Sequence, residues 1–253
     1  MRVLKIGRAI RSVEDWFTLA PPKQGSRQWV DGRSAKELAK AWFPLAGAPQ
    51  IPSEFQALLD SREETRGTVF ELGEPERETI FDRCGGEARN ADLVLWGRSA
   101  RGKVLVSIEA KADEPFGEIA GEYVQQSMAR NPRSRVPERF ELLCRGVLGV
   151  GAGDERARAL RYQLLTAVAG ALVEAQGYGA DVTLFVVYEF VGKTDAARLL
   201  LNSDDLNRFV RLLSKGQVEA ISPGTLAGPF TVPGNEHFTG TERLFIGKCR
   251  RSV

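Results

Sequence analysis

Asp92, Glu109 and Lys111 are the residues whose types and spacing suit chemistry. Glu109 and Lys111 close the apolar run "KVLVSIEAK" (103–111). Side chains alternate across a strand with period two, so Leu105, Ser107, Glu109 and Lys111 share one face, and Val104, Val106 and Ile108 share the other. The run "ADLVLWG" (91–97) precedes it, separated by the turn-rich "RSARG". A hairpin turning near Ala100–Arg101 sets Gly97 opposite Val104, Leu95 opposite Val106 and Asp92 opposite Glu109. Directly opposed residues have Cβ atoms about 4.5–5.5 Å apart. Two carboxylates that close repel unless a positive charge sits between them. A divalent cation and the Lys111 ammonium would supply that charge. A slip of one residue would turn Asp92 to the other face.

This chemistry suits phosphodiester hydrolysis. Mg²⁺ is a hard cation, commonly held by one or two carboxylates plus substrate phosphate. It polarises phosphate, acidifies a bound water and stabilises the leaving oxygen. A neighbouring lysine can orient or deprotonate the attacking water and stabilise the charge that develops. The competing reading is a cross-strand salt-bridge cluster at a solvated sheet end. Against it, the flanking apolar strands imply a covered sheet, where three charges need a reason.

Composition narrows the alternatives. The chain has 253 residues, 43% of them hydrophobic and 27% charged, with a net charge of +2. That is a soluble, core-forming composition with a charge too mild to demand a nucleic-acid partner. The single histidine, His237, excludes zinc peptidases with two helical histidines. It would also have to serve any Ser-His-Asp or Cys-His enzyme alone, with no G-x-S-x-G elbow to accompany it. The simplest reading makes it a surface loop residue. Cys84, Cys144 and Cys249 are odd in number and far apart, which argues against a disulfide framework or zinc ribbon and for a reduced, cytoplasmic setting. The N-terminus lacks the apolar core of a secretory signal, and no run approaches the roughly 20 residues of a membrane span.

The elements that must position these residues follow from periodicity and punctuation. A short helix is expected at Ser12–Leu19. Ser34 and Glu37 fit a capping box opening a helix through Trp42 and Phe43. A second helix starts at an N-cap Ser53. "GTVFELGEPE" (67–76) reads as a strand with Val69–Leu72 as its apolar centre, "RCGGEARN" is a turn-rich connector, and the hairpin follows. Helices are expected over Glu118–Ala129, in "ERFELLCRGVLG", along Glu155–Gln176 with a stop at Gly177, and over Asp204–Leu213. "ADVTLFVVYEFVG" reads as a central strand covered on both faces. "EAISPGTL" and "ERLFIGKC" are short-strand candidates. The result is an α/β fold, a small mixed sheet flanked by helices. It forms a single domain over 1–253, with its core at about 34–191 and a C-terminal elaboration over 192–253.

"ADLVLWG", the turn and "KVLVSIEAK" together resemble the D-x(n)-E-x-K active-site hairpin of the PD-(D/E)XK nuclease superfamily, the restriction-endonuclease-like fold. The family's α-β-β-β-α-β core is similar to the element order over about 34–191. The resemblance extends to uncharacterised bacterial proteins known only as a domain of unknown function. It implies that Asp92 and Glu109 hold Mg²⁺, with Mn²⁺ as a substitute, and that Lys111 is the catalytic lysine. It further implies DNA in preference to RNA as the partner, and it admits a homodimer. Ala91 stands where many members have proline. Exonuclease-like members carry a glutamine early in the second core helix, a place Gln163 takes. Others add an acidic residue from the first helix, here Glu37 as a further metal ligand.

Each secondary residue has a plainer reading. Glu37 suits its capping box, and Gln163 an exposed helix position. Glu71 stands on the first strand, within conceivable reach of a metal. Asp113 and Glu114 read as solvated loop charges. Trp29, Trp42 and Trp96 read as packing rather than stacking platforms. Arg130, Arg133, Arg135, Arg139, Arg145, Arg156, Arg158 and Arg161 form the densest basic stretch. They suit either a phosphate-tracking surface or local pairing with Glu138, Glu141, Asp154 and Glu155.

Overall fold

The expected hairpin forms the middle of a mixed sheet. The computed structural model describes residues 1–192, 196–240 and 243–253. In chain order its elements are β1 (Arg2–Lys5), β2 (Arg8–Ala9), α1 (Val13–Leu19), α2 (Ser34–Trp42), α3 (Ser53–Asp60), β3 (Val69–Thr79), β4 (Arg89–Ser99), β5 (Gly102–Lys111), α4 (Ala120–Arg130), α5 (Val136–Leu143), α6 (Glu155–Arg158), α7 (Tyr162–Tyr178), β6 (Val182–Val191), α8 (Ala196–Leu213), β7 (Thr225–Phe230) and β8 (Arg243–Ser252). The sheet order is β2-β1-β3-β4-β5-β6-β8-β7. β4 is antiparallel to both its neighbours, β3 and β5, whereas β5, β6 and β8 run parallel. The fold is therefore mixed α/β with helices on both sheet faces.

Strand alternation divides the core into two layers. Val104, Val106 and Ile108 pack with Trp16, Leu38, Trp42, Phe55 and Leu58 from α1, α2 and α3. On the opposite face, Phe185, Val187, Leu244 and Ile246 pack with Phe140, Leu164, Val168 and Phe209 from α5, α7 and α8. β6 contributes alternate residues to both layers, Leu184, Val186 and Tyr188 to one and Phe185 and Val187 to the other. Its unbroken apolar run is the signature of a strand covered twice.

Three differences from the sequence expectation bear on the site. The helix expected over Glu155–Gln176 is broken into α6 and α7. Arg161 is extended (φ −74°, ψ 125°) and bridges Ile119. Leu160 O accepts from Ala120 N, and Tyr162 N donates to Glu118 O, so the break is satisfied by a neighbouring segment instead of the helix ladder. α7 then ends at Gly179, which takes φ +68°, two residues beyond the expected stop at Gly177. β3 runs to Thr79, three residues beyond the expected stretch "GTVFELGEPE" (67–76). Finally, the C-terminal segment supplies β7 and β8 to the main sheet, and "RVLK" pairs β1 with β3. Glu242, the first residue of the expected last strand, lies outside the described residues. No helix among the described residues is long and apolar enough to cross a membrane.

Candidate active site

The hairpin register follows from the turn. Leu93 pairs with Ile108, Leu95 with Val106 and Gly97 with Val104. Leu93–Ile108 is the last pair of this ladder, and beyond it Asp92 meets the end of β5 through its side chain. Asp92 Oδ2 accepts from the backbone N–H of Ala110 at 2.7 Å. The Lys111 ammonium lies 2.7 Å from Glu109 Oε1. Gln163, in the first turn of α7, donates to Glu109 Oε1 at 2.8 Å and accepts from Lys111 Nζ at 3.2 Å. Glu109, Lys111 and Gln163 thus close a hydrogen-bonded triangle. Glu109 and Lys111 are 3% and 5% exposed, so these charges are committed to one another rather than to water. The break before α7 puts Gln163 at a helix start, where its side chain reaches the sheet end.

Two further charged residues join them. Glu76 lies in β3 between Pro75, paired with Leu93, and Arg77, paired with Ala91, which sets it opposite Asp92. Its backbone is left-handed, φ +48°, a strained conformation for a non-glycine residue that clusters at functional sites. Its carboxylate accepts from Asn90 Nδ2. Arg89, the first residue of β4, donates from Nη2 to Glu109 Oε2. Neither is singled out by the sequence: Glu76 closes the strand-like stretch "GTVFELGEPE", whose register to β4 no tight turn sets, and Arg89 falls in "RCGGEARN", which reads as a connector. Carrying the β3–β4 register through the proline would have found Glu76.

The electrostatics follow from this crowding. Loss of solvation, then repulsion from Glu109 and Glu76, drives the Asp92 carboxyl well above the ordinary carboxylate range. Burial, with repulsion from Glu109, pushes Glu76 up to about 7 despite its hydrogen bond from Asn90. Burial also pushes Glu109 upward, but the Arg89 guanidinium and the Lys111 ammonium override it and hold Glu109 below its usual value. Of the three carboxyls, Glu109 is thus the one whose ionised form its neighbours favour most. The other two carboxyls retain protons more readily.

A pH dependence follows for Glu76. The folded chain holds that proton more tightly than the unfolded chain. The associated stabilisation is complete below about pH 4.5 and is lost as pH rises toward 7. Glu76→Gln should flatten this decline in metal-free protein, with a difference of roughly 1–3 kcal/mol across the window, since one unit is worth about 1.4 kcal/mol. Denaturant midpoints measured between pH 4.5 and 8 check it. Parallel slopes for both proteins would show that Glu76 is not the titrating group.

Glu37 is not brought to this cluster. Its Oε1 accepts from Gly32 N at 2.8 Å and from Lys40 Nζ at 2.9 Å. Both partners lie in the turn before α2 and in α2 itself, and the cap of α2 is Arg33, so the structure does not bring Glu37 to the metal position expected of it. Ser34 is the first helical residue rather than the cap. Its hydroxyl donates to Glu114 at 2.9 Å. Pro52, not Ser53, occupies the cap of α3. Glu71 is exposed and faces Arg98, and Asp113 pairs with Arg33. Much of the basic stretch is neutralised: Arg135 by Glu138, Arg145 by Glu141, Arg156 by Asp154, Arg161 by Asp205, and the buried Arg139 by Asp82. His237 lies in a loop beside Glu236. Trp42 is core.

Glu76, Arg89, Asp92 and Gln163 line a cleft of about 420 Å³, with Tyr123 and Tyr162 among its other walls. A larger recess of about 690 Å³, around Leu148, Leu160 and Leu212, contains none of them. The cluster beside the cleft offers hard carboxylate oxygens, the kind Mg²⁺ takes, and its three carboxyls, Glu76, Asp92 and Glu109, accompany two cations, Arg89 and Lys111, so the set suits a divalent ion in kind. As the side chains stand, no group of three His, Cys, Asp or Glu among the described residues is arranged to hold one. The reason is visible at Glu109, where Oε1 is engaged by Lys111 and Gln163, and Oε2 by Arg89.

Fold and site together define a mixed α/β protein with a buried carboxylate–lysine–glutamine cluster at the end of a central antiparallel hairpin. The chain belongs to the family described as Domain of unknown function (DUF6946), whose model matches residues 9–250. No curated protein and no solved structure matches it.

Proposed function

We propose that the chain is a metal-dependent nuclease of the PD-(D/E)XK kind, hydrolysing phosphodiester bonds in nucleic acid, DNA in preference to RNA. The observation that carries the reading is the meeting of Asp92, Glu109, Lys111 and Gln163, from two facing strands and a helix start, in one buried cluster beside a cleft that Asp92 and Gln163 line. A surface salt-bridge cluster would not need burial this deep or a glutamine clasping both charges.

Asp92 and Glu109 are the residues that would hold Mg²⁺ or Mn²⁺, with Glu76 as a third carboxylate beside them. Bound there, such an ion supplies positive charge to phosphate oxygens and acidifies water. The chain's own contributions are distinct. Lys111 Nζ presents a donor to the attacking water and to the charge growing on phosphate. Gln163 holds that ammonium and Glu109 in fixed relation, so neither must reorganise during the reaction. The hydrogen bond from Ala110 N fixes the rotamer of Asp92.

The engagement of both Glu109 oxygens favours a second reading, a non-catalytic nucleic-acid-binding or assembly module on the same scaffold. Incubating plasmid and single-stranded oligonucleotides with wild type and Asp92→Asn, in Mg²⁺ and in Mn²⁺, separates the two. The nuclease reading expects cation-dependent cleavage by wild type, lowered at least 100-fold in Asp92→Asn, in line with general acid–base and electrostatic contributions of about 10²–10⁴. Wild type that binds the cation and DNA yet never cuts would establish the binding module instead.

A further inference from the structure

Arg89 has no part in the chemistry above, yet it is set deep in the cluster. Its side chain is 9% exposed and that of its partner Glu109 is 3% exposed. Its Nε is buried without a hydrogen-bond partner among the described residues, while Nη2 donates to Glu109 Oε2. Helix α7 makes room for it. A Cβ at Gly170 would stand 2.9 Å from Arg89 Cγ and 3.3 Å from its Cβ. Glycine within a helix destabilises it relative to alanine, and the space Gly170 leaves is taken by the arginine stem.

Charge arithmetic explains what Arg89 does there. Glu76, Asp92 and Glu109 are three carboxyls, and Lys111 and Arg89 are two cations. A divalent ion beside Lys111 alone would balance three carboxylates. The same ion beside both Lys111 and Arg89 would leave a buried positive excess. Glu109 Oε1 is committed to Lys111 and Gln163, so an incoming ion must take Oε2, the oxygen the guanidinium already holds. Two cations cannot share one buried oxygen without strong repulsion.

We propose that Arg89 is a built-in competitor of the metal: guanidinium and divalent ion occupy Glu109 Oε2 alternately, and the site loads an ion only as Arg89 swings away. The inference rests on the metal-site reading above. Phosphate is the group best suited to draw a guanidinium from a carboxylate, through bidentate hydrogen bonds. Loading would then be coupled to substrate arrival, and by reciprocity each would tighten the other.

Isothermal titration with Mn²⁺ alone, without nucleic acid, tests this on wild type, Arg89→Gln and Gly170→Ala. Arg89→Gln should bind Mn²⁺ at least tenfold more tightly than wild type. Gly170→Ala, which favours the helix but crowds the arginine stem, should shift affinity in the same direction and decides the matter if Arg89→Gln does not fold. Equal or weaker binding by the variants, with cleavage by wild type intact, overturns the competitor role alone and leaves Arg89 as a support for Glu109. No Mn²⁺ binding by any of the three, up to millimolar ion, overturns the metal site and this proposal with it.

Discussion

Lys111→Ala is expected to lower cation-dependent cleavage roughly 10²–10⁴-fold, the range lost when a positioned proton-transfer group or a charge-stabilising donor is removed. The fold should survive the change. Glu109 keeps Arg89 on Oε2 and Gln163 on Oε1, so its carboxylate is not left without partners. The loss should therefore fall on turnover while metal affinity stays within a few-fold of wild type. Single-turnover cleavage of a labelled duplex, paired with Mn²⁺ titration and a melting curve, separates the effects. Cleavage within tenfold of wild type would remove Lys111 from the chemistry. Loss of cleavage and of folding together would make Lys111 a structural counter-ion.

The largest stability effect is expected at a second buried ion pair. Lys248 on β8 and Glu189 on β6 are 2% and 1% exposed, and Lys248 Nζ lies 3.0 Å from Glu189 Oε1. Arg250 holds the other oxygen, Oε2, at 2.7 and 2.9 Å. Lys248→Ala leaves Oε1 in the interior without its cation and removes a buried aliphatic stem. Breaking one side of a buried pair typically costs about 3–5 kcal/mol. At roughly 2–4 °C per kcal/mol for a chain near this size, the melting temperature should fall by about 10 °C or more. The double variant Lys248→Met/Glu189→Gln should recover most of that loss, because the desolvated charge leaves with its partner. Equilibrium denaturation of the three proteins checks the cycle, and a loss below 1 kcal/mol for Lys248→Ala would mean that water reaches Glu189. The pair also belongs to the geometry of the site. Lys111, Glu189 and Arg250 are cross-strand neighbours, so one charged row spans the C-terminal ends of β5, β6 and β8.

Much of the candidate site is legible without coordinates because its determinants are local. Period-two alternation is a property of any extended chain, so Glu109 and Lys111 must share a face once the run is a strand. A tight turn converts residue numbers into register, and the pairing of Leu93 with Ile108 follows from the position of the turn alone. The unbroken apolar run of β6 likewise carries its own evidence of burial on both faces. These features do not depend on what the rest of the molecule does.

The remaining features depend on residues far apart in the chain. Glu76 reaches the cluster only because β3 continues through Pro75 and pairs with β4, an outcome that strand propensity opposes. The stretch over Leu160, Leu164 and Val168 keeps helical periodicity across the break, so nothing local announces it. Backbone groups of Glu118 and Ala120 take the hydrogen bonds there, and Gln163 becomes a helix-start residue as a result. Glu37 had two competing uses, and proximity to Gly32 and Lys40 decided for the local one. Arg139 and Arg161 looked like part of a basic surface, but they meet Asp82 and Asp205, 57 and 44 residues away. The sequence by itself thus determined the α/β class, the hairpin and the trio Asp92, Glu109 and Lys111. Tertiary structure alone decided that Arg89 and Glu76 join them and Glu37 does not, since a buried charge takes whichever partner the fold brings within reach, at any separation along the chain.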